Sequence, residues 1–170
     1  TPDTLKTWTE QKSDLIDTIR LDHSPLSRSE QTMLKCPFMN TPYAPNISHL
    51  LGALSIYDLE ETVGKELWKH DPNDHKDREK IIISFILKDL MYLSYRHRFI
   101  LISALRDALE NPDFDFAKEF ENDYDEYITM AWNETEIADP RGFFVDIYRL
   151  ANEVWKEDLQ KASLEDPATW

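Results

Sequence analysis

The densest group of metal-ligand residue types lies between residues 70 and 77. It contains His70, Asp71, Asp74, His75 and Asp77. Their spacing matches neither the paired-histidine helix motif of zinc proteases nor the glycine-centred acidic loop of calcium sites. The same residues are typical of a capped, solvated helix start. We therefore expect no metal ion and no cofactor.

The sequence also lacks a recognisable nucleophile. Cys36 is the only cysteine, and its neighbours supply neither a base nor an anion-stabilising site for a reactive thiol. Cys36 is therefore interpreted as a packing residue. The three glycines, Gly52, Gly64 and Gly142, are far apart, which excludes a glycine-rich phosphate-binding loop. We predict that the protein is not an enzyme.

An apolar stretch around Asp89 offers an alternative. A buried carboxylate must be paired or protonated, and Arg96 and Tyr92 are its candidate partners, with a structural ion pair favoured. Alternatively, Asp89, Tyr92, Arg96 and His97 line the pocket of a small helical ligand-binding module or enzyme. The basic run 95–98 would then bind a small anion, or it would neutralise the protein's own acidic helices.

The negative charge is concentrated near the carboxyl end. The net charge is −14; residues 1–106 hold 15 acids and 14 bases, whereas residues 107–170 hold 18 acids and 5 bases. Such a chain repels nucleic acid and anionic membranes, so neither is expected as a direct partner. No apolar run approaches the length of a membrane helix. The complementary partner is a basic protein surface.

A predicted helix after Asp113 carries the clearest charge pattern. Its apolar stripe, predicted to face the core, comprises Ala117, Phe120, Tyr124, Tyr127, Ile128 and Ala131. In the alternative, Tyr124 and Tyr127, with Trp132 and Trp155 nearby, are aromatic anchors for a partner. The predicted partner-binding residues are Asp115, Glu119 and Glu126 on the opposite side, with Asp123 and Asp125 to either side of them. Like charges four residues apart cost about 0.2–0.5 kcal/mol per pair, and only Lys118 relieves them. This face is either a solvated surface or a docking surface for a basic partner.

The elements that position these residues are predicted to be helices. An apolar stripe predicts a first helix over about Thr4–Leu21, and the capping box at Ser27–Glu30 predicts a short second one. Residues 37–45 form a proline-rich irregular loop, which Phe38, Met39 and Tyr43 are expected to pack onto the body. Asn46 is a predicted N-cap of a helix that bends or breaks near Ser55.

Later helix starts are predicted from cap-plus-proline signals. Asp71-Pro72 and Asp139-Pro140 each combine a capping residue with proline at the first helical position. Between them, residues 81–93 are apolar on nearly every side and predict a central buried helix. Whether this helix continues to Leu109 or kinks near Ser94 is left open by the pattern. The fold class is all-α, a single-domain bundle of about five to seven helices over residues 1–170.

These features predict a cytoplasmic, non-catalytic inhibitor that docks on a basic protein. An immunity protein or antitoxin that neutralises a nuclease-type toxin fits, because such a toxin needs a positive cleft for phosphates. A nucleic-acid mimic acting on a DNA-binding protein is an alternative of the same class. The pocket near Asp89 is an alternative of another class, and self-association through the aromatics of residues 37–45 is a third. The oligomeric state is left open.

Overall fold

The structure is a computed structural model, which describes residues 33–170. Residues 34–167 form one of two compact units, and the other includes Met33 and residues 168–170. The predicted helix over Thr4–Leu21 and the capping box at 27–30 lie outside the described residues. A single domain over residues 1–170 stays a prediction.

The described residues are mainly helical and contain no β-strand, which confirms the all-α prediction. The main α-helices are α1 (His75–Ile81), α2 (Tyr95–Glu110), α3 (Pro140–Val154) and α4 (Lys156–Ser163). Two π-helical segments cover Glu60–Gly64, which runs into an α-helical turn at Lys65–Leu67, and Ile82–Leu87, which continues α1. The 3-10 helices are Ile47–Leu54, Phe116–Phe120 and Pro167–Thr169. None of the helices in the described part is long and apolar enough to cross a membrane.

Two predicted helix starts are confirmed. The Asn46 side chain accepts from the Ser48 amide at 3.2 Å, while the Asn46 amide donates to His49 Nδ1 at 3.3 Å. This capping box opens the 3-10 helix, which ends at the predicted break, with Ser55 as its C-cap. Asp139 opens α3 with Pro140 at the first position, and its carboxylate accepts from the Gly142 amide at 2.9 Å.

The predicted start at Asp71 is wrong by one turn. Asp74 is the N-cap of α1, and its carboxylate accepts from the Asp77 amide at 3.0 Å. The Asp71 carboxylate accepts instead from the Asn73 amide at 2.9 Å. This local bond holds residues 71–73 in a turn, so helical geometry begins only after it.

The apolar stretch 81–93 is buried on one face rather than on nearly every side. Ile82 and Ile86 are fully buried, whereas Ile83 and Met91 are exposed. Helical structure stops at Asp89, and α2 starts anew at Tyr95 with the Ser94 side chain as its cap. The structure therefore has two helices here rather than one long helix.

The core lies where α2 and α3 meet the segment Ile82–Leu87 and the 3-10 helix Ile47–Leu54. Its largest fully buried side chains include Phe120, Phe143 and Phe144. The ring centroids of Phe120 and Phe143 are 5.4 Å apart, and their rings meet edge to face. Aromatic pairs of this geometry add stability beyond the area that they bury. The 3-10 helix Phe116–Phe120 is therefore packed onto α3.

The predicted helix after Asp113 is wrong. Only Phe116–Phe120 is helical, as a 3-10 helix, and residues 121–139 are turns and extended chain. Aspartate side chains bond to nearby amides instead: Asp115 accepts from the Ala117 amide, and Asp123 accepts from those of Asp125 and Glu126. Such bonds compete with a helix, and the like-charge pairs weaken it further.

The proline-rich loop at 37–45 is irregular, as predicted. Its packing differs from the prediction, because the Phe38 side chain is 84% exposed and Met39 is also exposed. Only Tyr43 packs inward, with its ring against that of His97 and the centroids 4.7 Å apart. The Phe38 ring stacks instead on the exposed ring of Tyr92, with the centroids 5.6 Å apart.

Candidate functional site: the acidic segment

The candidate site consists of the last residue of α2 and the chain from there to α3, residues 110–139, which we call the acidic segment. It contains eleven carboxylates and one base, Lys118. Ten of the carboxylates are exposed, and Glu119 is half-buried. Within the described residues, none of the eleven forms an ion pair with lysine or arginine. This part of the surface therefore carries an uncompensated negative charge.

Arg141 fixes the start of the acidic segment. Its guanidinium donates to the carbonyl oxygens of Leu109 and Asn111 at 3.1 Å each, and to that of Phe114 at 3.2 Å. The same group lies 4.8 Å from the ring centroid of Phe116. The last carbonyls of a helix have no intrahelical donor. Arg141 thus satisfies the carboxyl end of α2 and positions the chain that leaves it.

Phe116 and Phe120 anchor the next turn. Both rings are buried, four residues apart, and pack against Phe143 and Phe144 of α3. The polar residues between them, Lys118 and Glu119, are directed away from this core and line a surface hollow. The apolar pair therefore determines which side of the turn carries charge.

Backbone pairing holds the middle and end of the segment. The Ile56 amide donates to the Thr129 carbonyl at 2.7 Å, and the Ala131 amide donates to the Leu54 carbonyl at 2.8 Å. Further on, Trp68 Nε1 donates to the Ala131 carbonyl at 2.8 Å. A loop held by such bonds presents its side chains in a defined arrangement.

The five predicted site residues do not share a helix face. Asp115 caps the 3-10 helix, and Asp123 closes a turn in which its backbone bonds with Ile128 in both directions. Asp125 and Glu126 lie at the tip of that turn and are exposed. The turn brings Asp123, Asp125 and Glu126 together, whereas Asp115 belongs to the preceding 3-10 helix.

Glu119 lies in a hollow of about 360 Å³ beside the turn. Glu121 and Asp123 line the same hollow, together with Lys118 and apolar groups such as Leu51. Burial raises the pKa of the Glu119 carboxyl above its ordinary value of 4.5, because an ion loses hydration there. Glu119 is thus the one predicted site residue whose charged form is destabilised by partial burial.

The tyrosines of the acidic segment are exposed, contrary to the prediction that they face the core. Tyr124 is 70% exposed and Tyr127 is 65% exposed. The Tyr127 ring meets the exposed ring of Tyr57 edge to face, with centroids 5.3 Å apart. The prediction was wrong because it assumed a helix; in the turn, these side chains have no core to face.

Several carboxylates of α3, of α4 and of the residues that follow α4 are paired with arginine, unlike those of the acidic segment. Arg78 donates to Asp146 at 3.1 Å, and Arg98 donates to Asp158. Glu165 accepts from the Tyr95 hydroxyl at 2.6 Å and from Arg96 Nε at 2.8 Å. Of the two interpretations of the basic run 95–98, the neutralisation of the protein's own acidic helices is confirmed.

The predicted pairing of Asp89 with Arg96 is wrong. Asp89 is exposed, and Arg96 binds Glu165. The helix ends at Asp89 and a turn precedes α2, so the two residues do not share one helix face. Asp89 and Tyr92 do line a common open cleft of about 1000 Å³, which Arg96 and His97 do not line. Two of the four residues predicted to line one pocket therefore do so, and the other two do not.

The cluster at 70–77 has structural partners. Asp74 caps α1, the Asp77 carboxylate accepts from the Asp71 amide at 3.0 Å, and His75 lies 3.4 Å from Glu79. That amide bond lowers the pKa of Asp77. Within residues 33–170, no group of three or more histidine, cysteine or carboxylate side chains could hold a metal ion.

Cys36 is half-buried, and its thiol contacts the Pro42 carbonyl oxygen at 3.5 Å. The Thr41 hydroxyl donates to Cys36 Sγ at the same distance. Nearby, burial raises the pKa of Tyr43 to about 12, with smaller contributions from Tyr92 and Cys36. These contacts are those of a packing residue in an irregular loop.

Sequence reasoning did not identify Tyr57 and Glu121 as part of this surface. A signal was present in Asn122-Asp123-Tyr124-Asp125, whose closely spaced Asn and Asp residues favour turns over helix. Recognising a turn there would have placed the tyrosines outside. No family model matches the sequence, and no significant match is found among curated proteins or solved structures.

Proposed function

We propose that this protein is a non-catalytic binding protein that docks on a basic partner through the acidic segment. The observation that carries the proposal is the set of eleven carboxylates with one lysine, none of them in an ion pair with lysine or arginine among the described residues. The partner class that fits is a nuclease-type toxin, which the protein would neutralise in the cytoplasm as an immunity protein or antitoxin.

The electrostatics of a nuclease support this choice of partner. An enzyme that binds a phosphate backbone needs clustered lysine and arginine, which form a positive cleft. A one-sign negative surface complements such a cleft and accelerates association. The carboxylates from α3 to Glu165 contribute less, because Arg78, Arg98 and Arg96 already neutralise several of them.

The tethering of the acidic segment supports a preformed binding surface. Arg141 holds its start, the pairing with residues 54–56 holds its middle, and Asn73 holds its end by donating to the Glu136 carbonyl at 2.8 Å. A surface fixed in advance loses less conformational entropy on binding. Affinity then depends mainly on the exposed side chains.

The test compares two triple charge reversals with the same net charge. The site variant carries Glu121→Lys, Asp125→Lys and Glu126→Lys, all at exposed positions. The control carries Glu61→Lys, Asp107→Lys and Glu157→Lys, at exposed positions outside the acidic segment. Each protein is immobilised and offered the candidate toxin, the product of a neighbouring gene, at low and high salt.

We expect the site variant to bind at least about tenfold more slowly at low salt, and the control to bind nearly as wild type does. High salt is expected to weaken the wild-type complex. Binding that is insensitive to salt and to the site variant would exclude the acidic segment as the docking surface. A partner that binds DNA without cleaving it would make the protein a nucleic-acid mimic instead.

A second candidate function is a ligand-binding module, favoured by the cleft of about 1000 Å³. Its volume is at the upper end of the range of small-molecule sites. Asp89 and Lys88 both line it, and neither forms an ion pair within the described part of the chain. Thermal-shift screening of small metabolites tests this function. A hit whose shift is lost in Asp89→Asn, with unchanged basal stability, would support it.

A further inference from the structure

The exposed tyrosines of the acidic segment form an aromatic surface next to exposed carboxylates. Tyr124 and Tyr127 lie on the turn closed by Asp123 and Ile128, and Tyr57 contacts Tyr127 from the neighbouring segment. Large aromatic side chains that stay exposed in a group mark interaction surfaces more often than solvated ones. We call Tyr57, Tyr124 and Tyr127 the tyrosine surface.

The backbone beneath the tyrosine surface is strained. Tyr127 has a φ of 56° and Asp58, next to Tyr57, has a φ of 58°. These are the two non-glycine residues with positive φ in the described chain. Left-handed backbone geometry is unfavourable for L-residues, and the tyrosine side chain cannot hydrogen-bond its own backbone to offset this cost. Both left-handed residues lie at the contact between the Tyr57 and Tyr127 rings.

Carboxylates are the immediate neighbours of these tyrosines along the chain. Asp58 follows Tyr57, and Asp125 and Glu126 lie between Tyr124 and Tyr127. All three carboxylates are exposed. No lysine or arginine of the described residues lies over the three rings or pairs with the three carboxylates. The surface thus offers π-faces and negative charge together, with no cation of its own.

Elsewhere in the molecule, the same combination holds a guanidinium. Arg98 donates to Asp158 and lies 5.0 Å from the centroid of the Trp155 ring. Arg78 likewise donates to Asp146 while it lies 5.6 Å from the Phe143 centroid. A planar guanidinium can bond a carboxylate along its edge and stack on a ring with its face.

We propose that the tyrosine surface binds arginine side chains of the partner in preference to lysine. This inference rests on the proposed function and narrows its partner to an arginine-rich basic surface. An ammonium group satisfies the carboxylates by charge alone and is strongly hydrated, so it gains less from the rings. Guanidinium groups gain from both the rings and the carboxylates.

The experiment uses an oligo-arginine and an oligo-lysine peptide of equal length as probes of the folded protein. The ring-removing variant carries Tyr124→Leu and Tyr127→Asn, because asparagine tolerates left-handed geometry. The ring-retaining variant carries Tyr124→Phe and Tyr127→Phe. Tyr92→Leu is the matched control, at an exposed tyrosine whose ring stacks on Phe38. Calorimetry measures each affinity.

We expect wild type to bind oligo-arginine about fivefold more tightly than oligo-lysine, from cation–π contacts at exposed rings. The ring-removing variant should lose this preference, and the ring-retaining variant and Tyr92→Leu should keep it. Equal affinities in wild type, or a preference that survives ring removal, would overturn the inference and leave the proposed function intact.

The outcomes separate the two levels of the proposal. If neither peptide binds at low salt, both the inference and the proposed function fail. If both bind equally and the triple reversal at Glu121, Asp125 and Glu126 weakens both, only the arginine preference fails. If the variant with Tyr124→Leu and Tyr127→Asn unfolds, Tyr124→Leu alone replaces it, because it leaves the left-handed position Tyr127 unchanged. The preference for oligo-arginine over oligo-lysine should then be reduced.

Discussion

Arg78 donates to the carboxylate of Asp146 at 3.1 Å, and the two side chains are only 12% and 15% exposed. The same guanidinium donates through Nε to the Pro72 carbonyl at 2.8 Å. This pair joins α1 to α3 and uses charge for internal structure. The acidic segment, in contrast, leaves its carboxylates to the solvent. The chain therefore divides its negative charge between stability and an outward-facing surface.

The first prediction concerns the Arg78–Asp146 pair. Asp146→Ala leaves a largely buried guanidinium without this carboxylate, which is expected to lower the free energy of unfolding by about 3 kcal/mol. The double variant Arg78→Met with Asp146→Leu should recover most of that loss, because no unpaired charge remains. Urea denaturation measures both.

The matched control is the exposed contact between Arg106 and Asp107, at 3.5 Å. Asp107→Asn should change the free energy of unfolding by less than about 0.5 kcal/mol, since exposed pairs contribute little. A loss in Asp107→Asn as large as that in Asp146→Ala would contradict the distinction drawn between buried and exposed charge.

The second prediction concerns Arg141, which anchors the start of the acidic segment. Lysine keeps the charge but cannot reach three carbonyl oxygens and the Phe116 ring at once. Arg141→Lys is expected to lower the free energy of unfolding by about 2 kcal/mol, because the carbonyl oxygens at the end of α2 and of Phe114 lose charged donors. Thermal or urea unfolding checks this, with Arg106→Lys as an exposed control. Equal small losses in both variants would refute the anchoring role.

The third prediction concerns the left-handed backbone at Asp58. Asp58→Val is expected to lower the free energy of unfolding by about 1–2 kcal/mol, because a β-branched residue resists a positive φ. Asp58→Gly should change it by less than about 0.5 kcal/mol, because glycine adopts this geometry without strain. A valine variant as stable as the glycine variant would show that the φ of 58° is not maintained in solution.

Helix starts were predictable because their determinants are local in sequence. Asn46 and Asp139 bond amides two or three residues ahead, so the cap can be inferred from adjacent residues. The break near Ser55 was likewise visible as a shift in the apolar phase. Burial of the core positions Leu50 and Ile147 follows from the same periodicity.

The acidic segment was not predictable from apolar spacing alone. Phe116 and Phe120 have helical spacing, but one 3-10 turn accommodates them. The Asx bonds of Asp115 and Asp123 then outcompete further helix, and the exposed tyrosines follow from that. Asp89 was misplaced for a related reason, since its burial was inferred from an uninterrupted helix.

The last prediction concerns pH and Glu119. Burial raises the pKa of its carboxyl above the ordinary 4.5 in the folded protein, so the unfolded chain releases this proton at lower pH than the folded one does. The contribution of Glu119 to stability is therefore complete below its ordinary pKa and is lost as the pH rises through the raised pKa.

Glu119→Gln, which stays neutral, should gain stability relative to wild type over that pH window and keep the gain at neutral pH. Urea denaturation of both proteins, from pH below 4.5 to neutral pH, measures the difference, with Glu121→Gln as the exposed control in the same hollow. A difference between Glu119→Gln and wild type that does not change with pH would mean that burial of this carboxylate has no energetic consequence.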